Sequence, residues 1–169
     1  MKRDAGALVR LLQLASPTLP VGAYSYSQGL EAAAEAGLVT DAASAGRWIG
    51  EALALAVATF EAPVLARLLA AFAAGDAAAA ARWNDEFLAS RESAELRAET
   101  VQMGYSLRRL ARELGIGGAA ALDRLDEVSF PAAFAAVASA WGMAREEAVA
   151  ADLGAWGENQ GMAAGEAVA

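Results

Sequence analysis

Cysteine and histidine are both absent from this 169-residue chain, and lysine occurs once, at Lys2, against twelve arginines. Each absence removes a class of chemistry. Disulfides, thiol nucleophiles, Ser-His-Asp triads, Schiff-base lysines and the lysine of a phosphate-binding loop all need side chains that no core position here supplies. A transition metal loses its usual imidazole and thiolate ligands. Carboxylates, backbone carbonyls and water remain, a set that suits magnesium or calcium rather than nickel, copper or zinc. No catalytic, cofactor or metal site is therefore expected.

Aromatic residues make up only 7% of the chain, while 57% is apolar and much of that is alanine. This favours helices in close contact over a sheet, and no strand-like alternation occurs, so the fold is expected to be all-α. At this length about 70% of the extended surface can be buried. With no repeat and no linker, the expectation is one domain over residues 1–169, a bundle of roughly seven to ten helices. The net charge of −8 disfavours nucleic acid or an anionic membrane as principal partner, and suits a basic or neutral protein. Residues 1–15 lack the apolar core and cleavage site of a signal peptide. The apolar stretches are diluted by alanine and interrupted by charge, so a soluble, cytoplasmic protein is expected.

Local signals set the elements. Leu8 to Leu14 read as a short helix ending at Ser16-Pro17, and a second is expected from Ser27 to Ala36, stopped by Gly37. Thr40 or Asp41 caps a third, carrying Trp48, Ile49, Leu53, Leu55 and Val57, which Pro63 breaks or restarts after Phe60. Gly75-Asp76 punctuates. Helix then runs from Asp76 to Leu114 with an interruption near Ser90 and Ser93, and turns at Gly115-Ile116-Gly117-Gly118. Shorter helices follow at Ala119–Leu125, Pro131–Trp141 (with Ser129 as start signal) and from Ala144 onward.

The segment from Leu11 to Glu31 is the sharpest feature. Pro17 and Pro20 remove two amide donors and Gly22 permits a positive φ, so an ordered connection of required shape is expected between two helices. Tyr24, Tyr26, Gln28 and Glu31 at its end suit capping or docking. In the long helix, Leu96, Thr100, Met103, Leu107, Leu110 and Leu114 form a core stripe. Ala98, Val101, Tyr105, Arg108 and Arg112 form a second face, either docking or solvated. Arg91 with Glu95 and Arg109 with Glu113 are spaced for intrahelical bridges. Glu31 and Glu35 lie one turn apart, and without further converging acids they read as surface. Gly154, Gly157, Gly161 and Gly165 share one face of the last helix, a stripe that permits close helix approach.

Leu19-Pro20-Val21-Gly22, Tyr24-Ser25-Tyr26-Ser27 and Gly29-Leu30-Glu31 together resemble the signature of the urease accessory protein F family, UreF. Trp83 to Arg97 and on to Met103-Gly104 resembles that family's central helix. Phe130-Pro131-Ala132-Ala133-Phe134 with Trp156 and Glu158-Asn159-Gln160 resembles its last motif. The resemblance covers nearly the whole chain. It implies an all-α homodimer that helps deliver nickel to the urease apoprotein, bridging UreD (also called UreH) and the GTPase UreG without itself being an enzyme. Tyr24, Tyr26, Gln28 and Glu31 are the first candidates for a partner surface, followed by Arg97, Tyr105 and Arg108. A rival expectation is a GTPase-activating role in which an arginine is supplied to UreG in trans. A small hydrolase using Glu31 and Glu35 is a third. The family pattern continues past the Glu-Asn-Gln motif into a tail that this chain is expected to lack. Asp152, Gly154, Gly157 and Gly161 also stand where the family carries bulky residues.

Overall fold

A computed structural model describes residues 5–16, 18–22 and 29–167. The described residues contain eight α-helices, one π-helical segment, one 3-10 segment and no strand. The all-α expectation holds. Helices α1 (Ala5–Leu14), α2 (Leu30–Glu35) and α3 (Ala42–Ala52) lead into a π-helical segment, Leu53–Glu61, and α4 (Ala62–Ala74). Then come α5 (Ala77–Ala89), α6 (Ala94–Glu113), the 3-10 segment Gly117–Arg124, α7 (Phe130–Ala140) and α8 (Arg145–Ala167).

Capping residues start the helices where the sequence places them. The Asp41 carboxylate accepts from the Ser44 amide at 2.7 Å, and the Asp41 amide donates to the Ser44 hydroxyl, closing a capping box before α3. The Ser44 amide and the Ser44 hydroxyl, both donating to the Asp41 carboxylate, hold it below its usual range. Asp76, Ser93 and Ser129 cap α5, α6 and α7 in the same way. Ser129 does so with Pro131 in the first turn, where a missing amide costs nothing. Gly37, Gly75 and Gly115 end α2, α4 and α6 with φ of 72°, 68° and 67°.

The core is built around α7. Residues 131–138 are all buried, and α7 packs on α4, α6 and the 3-10 segment. Alanines on most of its faces let the neighbours approach closely. Gly104 shows how closely: a Cβ there would stand 2.1 Å from the Val128 carbonyl oxygen. α8 crosses α1, α2, α3 and α4, and a smaller cluster of Leu30, Ala33, Val39, Ala45 and Ala164 closes that end.

Five local expectations need correction. α2 begins at Leu30, because Gly29 takes φ 92°, outside the helical region; Ser27 and Gln28, where the helix was expected to start, lie outside the described residues. Of the two outcomes expected at Pro63, the break does not occur, while α4 does start afresh at Ala62 with Pro63 in its first turn. The chain runs as one helix from Ala42 to Ala74, and the wider π turns before Pro63 relieve the clash between its ring and the preceding turn. That helix is long and apolar enough to cross a membrane by length and composition. Its α4 half is instead packed into the core through Val64, Leu65, Leu68, Leu69 and Ala71. Leu114 ends the predicted core stripe but is 63% exposed, since α6 stops at Glu113 and overshoots the core; Ala111 takes the buried place. Arg91 does not bridge to Glu95. It lies in the break between α5 and α6 and reaches Glu61 at 2.8 Å, whereas Arg109 and Glu113 do pair, at 3.7 Å. Finally, the short element expected at Ala119–Leu125 is present as 3-10 helix.

Candidate functional site

Of the sequence-derived surface candidates, Tyr24, Tyr26 and Gln28 lie outside the described residues. Glu31 is exposed in the first turn of α2, and neither it nor Glu35 converges with other acids into a metal-binding group among the described residues. Arg97, Tyr105 and Arg108 do share a stripe of α6. Arg97 forms an ion pair with Glu127, and Arg112, further along the stripe, pairs with Asp123. Between them Tyr105 is 48% exposed, with the Arg108 guanidinium 5.8 Å from its ring centroid. Arg112 is thus committed to the end of the 3-10 segment and Arg97 to the loop that follows it, and the Tyr105–Arg108 pair is the part left displayed.

Stronger surface features lie elsewhere. α1 turns Leu8, Val9 and Leu12 outward, the last at 60% exposure, and Val9 and Leu12 continue into a groove with Leu110, Leu114, Ile116 and Trp141. A second apolar face belongs to the π-helical segment. Leu53, Ala54, Leu55 and Ala56 are all exposed there, Leu55 at 75%. Nothing in their periodicity marked these leucines as outward, because an apolar face reads the same whether it meets a core or a partner. The glycine face of α8 is open too: a Cβ at Gly154, Gly157, Gly161 or Gly165 would meet nothing within 4 Å. Among the described residues, no helix uses the close approach that stripe permits.

α1, the loop after it, the π-helical segment, α5, α6, the start of α7 and α8 line a partly open cavity of about 90 Å3. Phe87, Met103, Phe130 and Trp156 supply apolar walls, and Glu61, Arg91, Glu99 and Asp152 supply charge. Arg91 joins Glu61 while lying 4.2 Å from the Phe87 ring centroid. Burial, and secondarily the Glu61 carboxylate, push the Asp152 carboxyl up to about 7. The Asn159 Oδ1 is buried without a hydrogen-bond partner. Sequence reading flagged Asp152 only as a departure from the family pattern. An acid amid the alanines of a buried helix face was the available signal; Glu61 gave none.

Asn84 lies in the stretch from Trp83 to Arg97, and the structure gives it a role. Only 1% exposed, it donates from Nδ2 to the Glu127 carbonyl and accepts at Oδ1 from the Ser129 amide, both at 2.9 Å. The Phe130 amide donates to Thr100 Oγ1 at 3.1 Å. Together they fix the entry of α7 against α5 and α6.

The described residues thus form an all-helical fold with outward apolar faces and a partly open cavity lined by apolar and charged side chains. The chain belongs to the UreF family, whose model matches residues 39–167. It is 58% identical over 166 residues to a urease accessory protein UreF of Azoarcus sp. (strain BH72), covering 95% of this chain and 71% of that protein. It is 56% identical to the UreF of Dechloromonas aromatica (strain RCB), covering 95% of this chain and 72% of that protein. A bifunctional urease accessory protein UreEF of Bordetella bronchiseptica is 51% identical over 164 residues, 95% of this chain and 38% of the longer protein.

Proposed function

We propose that the chain acts in urease maturation as a non-catalytic docking component, a homodimer that bridges UreD (UreH) and the GTPase UreG while nickel is inserted into the urease apoprotein. Membership of a family of urease accessory proteins supports the maturation role. The fused relative, in which a UreF region is part of a bifunctional UreEF protein, supports partnership with other accessory factors. The observation that carries the bridging reading is the pair of separate apolar faces, one on α1 with Leu114 and one on the π-helical segment around Leu55. Exposed leucines on two elements suit two docking events, and a compact monomer gains nothing from exposing them. The π-segment face is assigned to the second copy of this chain and the α1 groove to an accessory partner.

Size-exclusion chromatography with light scattering tests this on the chain alone and mixed with UreD and UreG. Leu55→Asp is expected to convert dimer to monomer while circular dichroism stays unchanged. Leu12→Asp is expected to abolish co-elution with UreD while leaving the dimer intact. A wild-type chain that is monomeric and co-elutes with neither partner would sink the reading.

A further inference from the structure

Among the described residues, the four charged side chains that line the cavity come from separate places: Glu61 from the π-helical segment, Arg91 from the α5–α6 junction, Glu99 from α6 and Asp152 from α8. α1, α2, α3 and α4, which also pack on α8, place no charged group there. The lining cation, Arg91, is already committed to Glu61 and the Phe87 face. Asp152 adds a buried carboxylate beside that pair. Asn159 adds an unpartnered buried Oδ1, and Gln160, only 3% exposed, lines the same space.

The apolar walls rule out a bare solvated ion as the best occupant, because they would strip its water without replacing it. A side chain with an apolar stem and a donor-rich head fits better. About 90 Å3 holds roughly six to nine atoms of water size, close to the size of an arginine side chain. A guanidinium carries five donors in a plane, enough to meet a carboxylate and two amide oxygens together. We propose that the cavity receives an arginine side chain from a basic segment of a partner protein, its stem against Met103 and Trp156 and its guanidinium on Asp152 and Asn159. This rests on the reading that the chain docks protein partners, and names one chemical feature of such a partner.

The state of Asp152 without an occupant agrees with this. Its carboxyl is held partly protonated near neutrality because it is buried beside Glu61 with no cation of its own. An arriving guanidinium favours the ionised form, so binding releases a proton. With a group that titrates at about 7, about half a proton per site should leave at pH 7.

The probe is n-butylguanidinium, titrated calorimetrically into the full chain at pH 7 in two buffers of different ionisation enthalpy. Saturable binding at one site with that proton release is expected. Asp152→Asn should weaken it about ten- to hundredfold, the range for a hydrogen bond to a charged group. Asn159→Leu should weaken it several-fold, and n-butylammonium should bind less tightly than the guanidinium. Equal binding of n-butanol, or an affinity unchanged by Asp152→Asn, overturns the proposal. Tighter binding of n-butylammonium overturns the choice of arginine. Because the probe is a small molecule, failure of UreD or UreG to co-elute counts against the bridging reading alone.

Discussion

Gly104→Ala is the sharpest test of how the bundle is held together. The added Cβ would lie 2.1 Å from the Val128 carbonyl oxygen and 2.8–2.9 Å from the Ser129 carbonyl atoms. All are backbone, so no flexible side-chain end can swing away. α6 and the entry to α7 must separate by about 1 Å to reach an ordinary contact, and overpacking of this kind costs about 1–3 kcal/mol. The same displacement strains the bond from the Phe130 amide to Thr100 and the bonds that Asn84 makes to Glu127 and Ser129. Each buried bond lost adds about 1 kcal/mol or more. A total loss of about 3–5 kcal/mol is expected, a large share of the stability of a domain this size. Urea unfolding followed by circular dichroism should show a clearly lower midpoint with little change in slope. Gly157→Ala is the control. A Cβ there meets nothing, so removing a helix-interior glycine should raise stability by about 0.5–1 kcal/mol. A Gly104→Ala variant within 1 kcal/mol of the parent would refute the claimed close approach.

Other outcomes follow from the same contacts. Asp152 has a folded-state pKa raised above its ordinary 3.8, so the folded chain holds the proton more tightly and stability falls as pH rises from about 4 to about 7. Asp152→Asn should remove that slope and stabilise the chain at pH 8 by about 2–4 kcal/mol; a gain that does not grow between pH 5 and pH 8 would contradict it. Asn84→Ala should cost about 2–4 kcal/mol by leaving the Ser129 amide and Glu127 carbonyl unpaired, measured by thermal unfolding. Arg97→Ala should shift stability by less than about 1 kcal/mol, because its pair with Glu127 is exposed on both sides.

The sequence by itself determined most of the helix boundaries, because caps and glycines act through bonds only three or four residues long. Asp41, Asp76, Ser93 and Ser129 start helices, and Gly37, Gly75 and Gly115 end them, whatever packs around them. It also determined the helical class, through alanine content and the absence of alternation, and its motifs carried the resemblance to the UreF family. Tertiary structure decided which apolar residues face outward. Leu12, Leu55 and Leu114 carry the same side chain as Leu14, Leu65 and Leu107, yet the first three are exposed and the last three buried. Periodicity defines a face but not what it meets. Tertiary structure also chose the partners of charge: Arg91 sits four residues from Glu95 but pairs with Glu61, thirty residues away in the chain. A break in the helix removed the local partner, and packing supplied a distant one. The cavity shared by Glu61, Glu99 and Asp152 exists only because three elements distant in sequence converge, which no local pattern encodes.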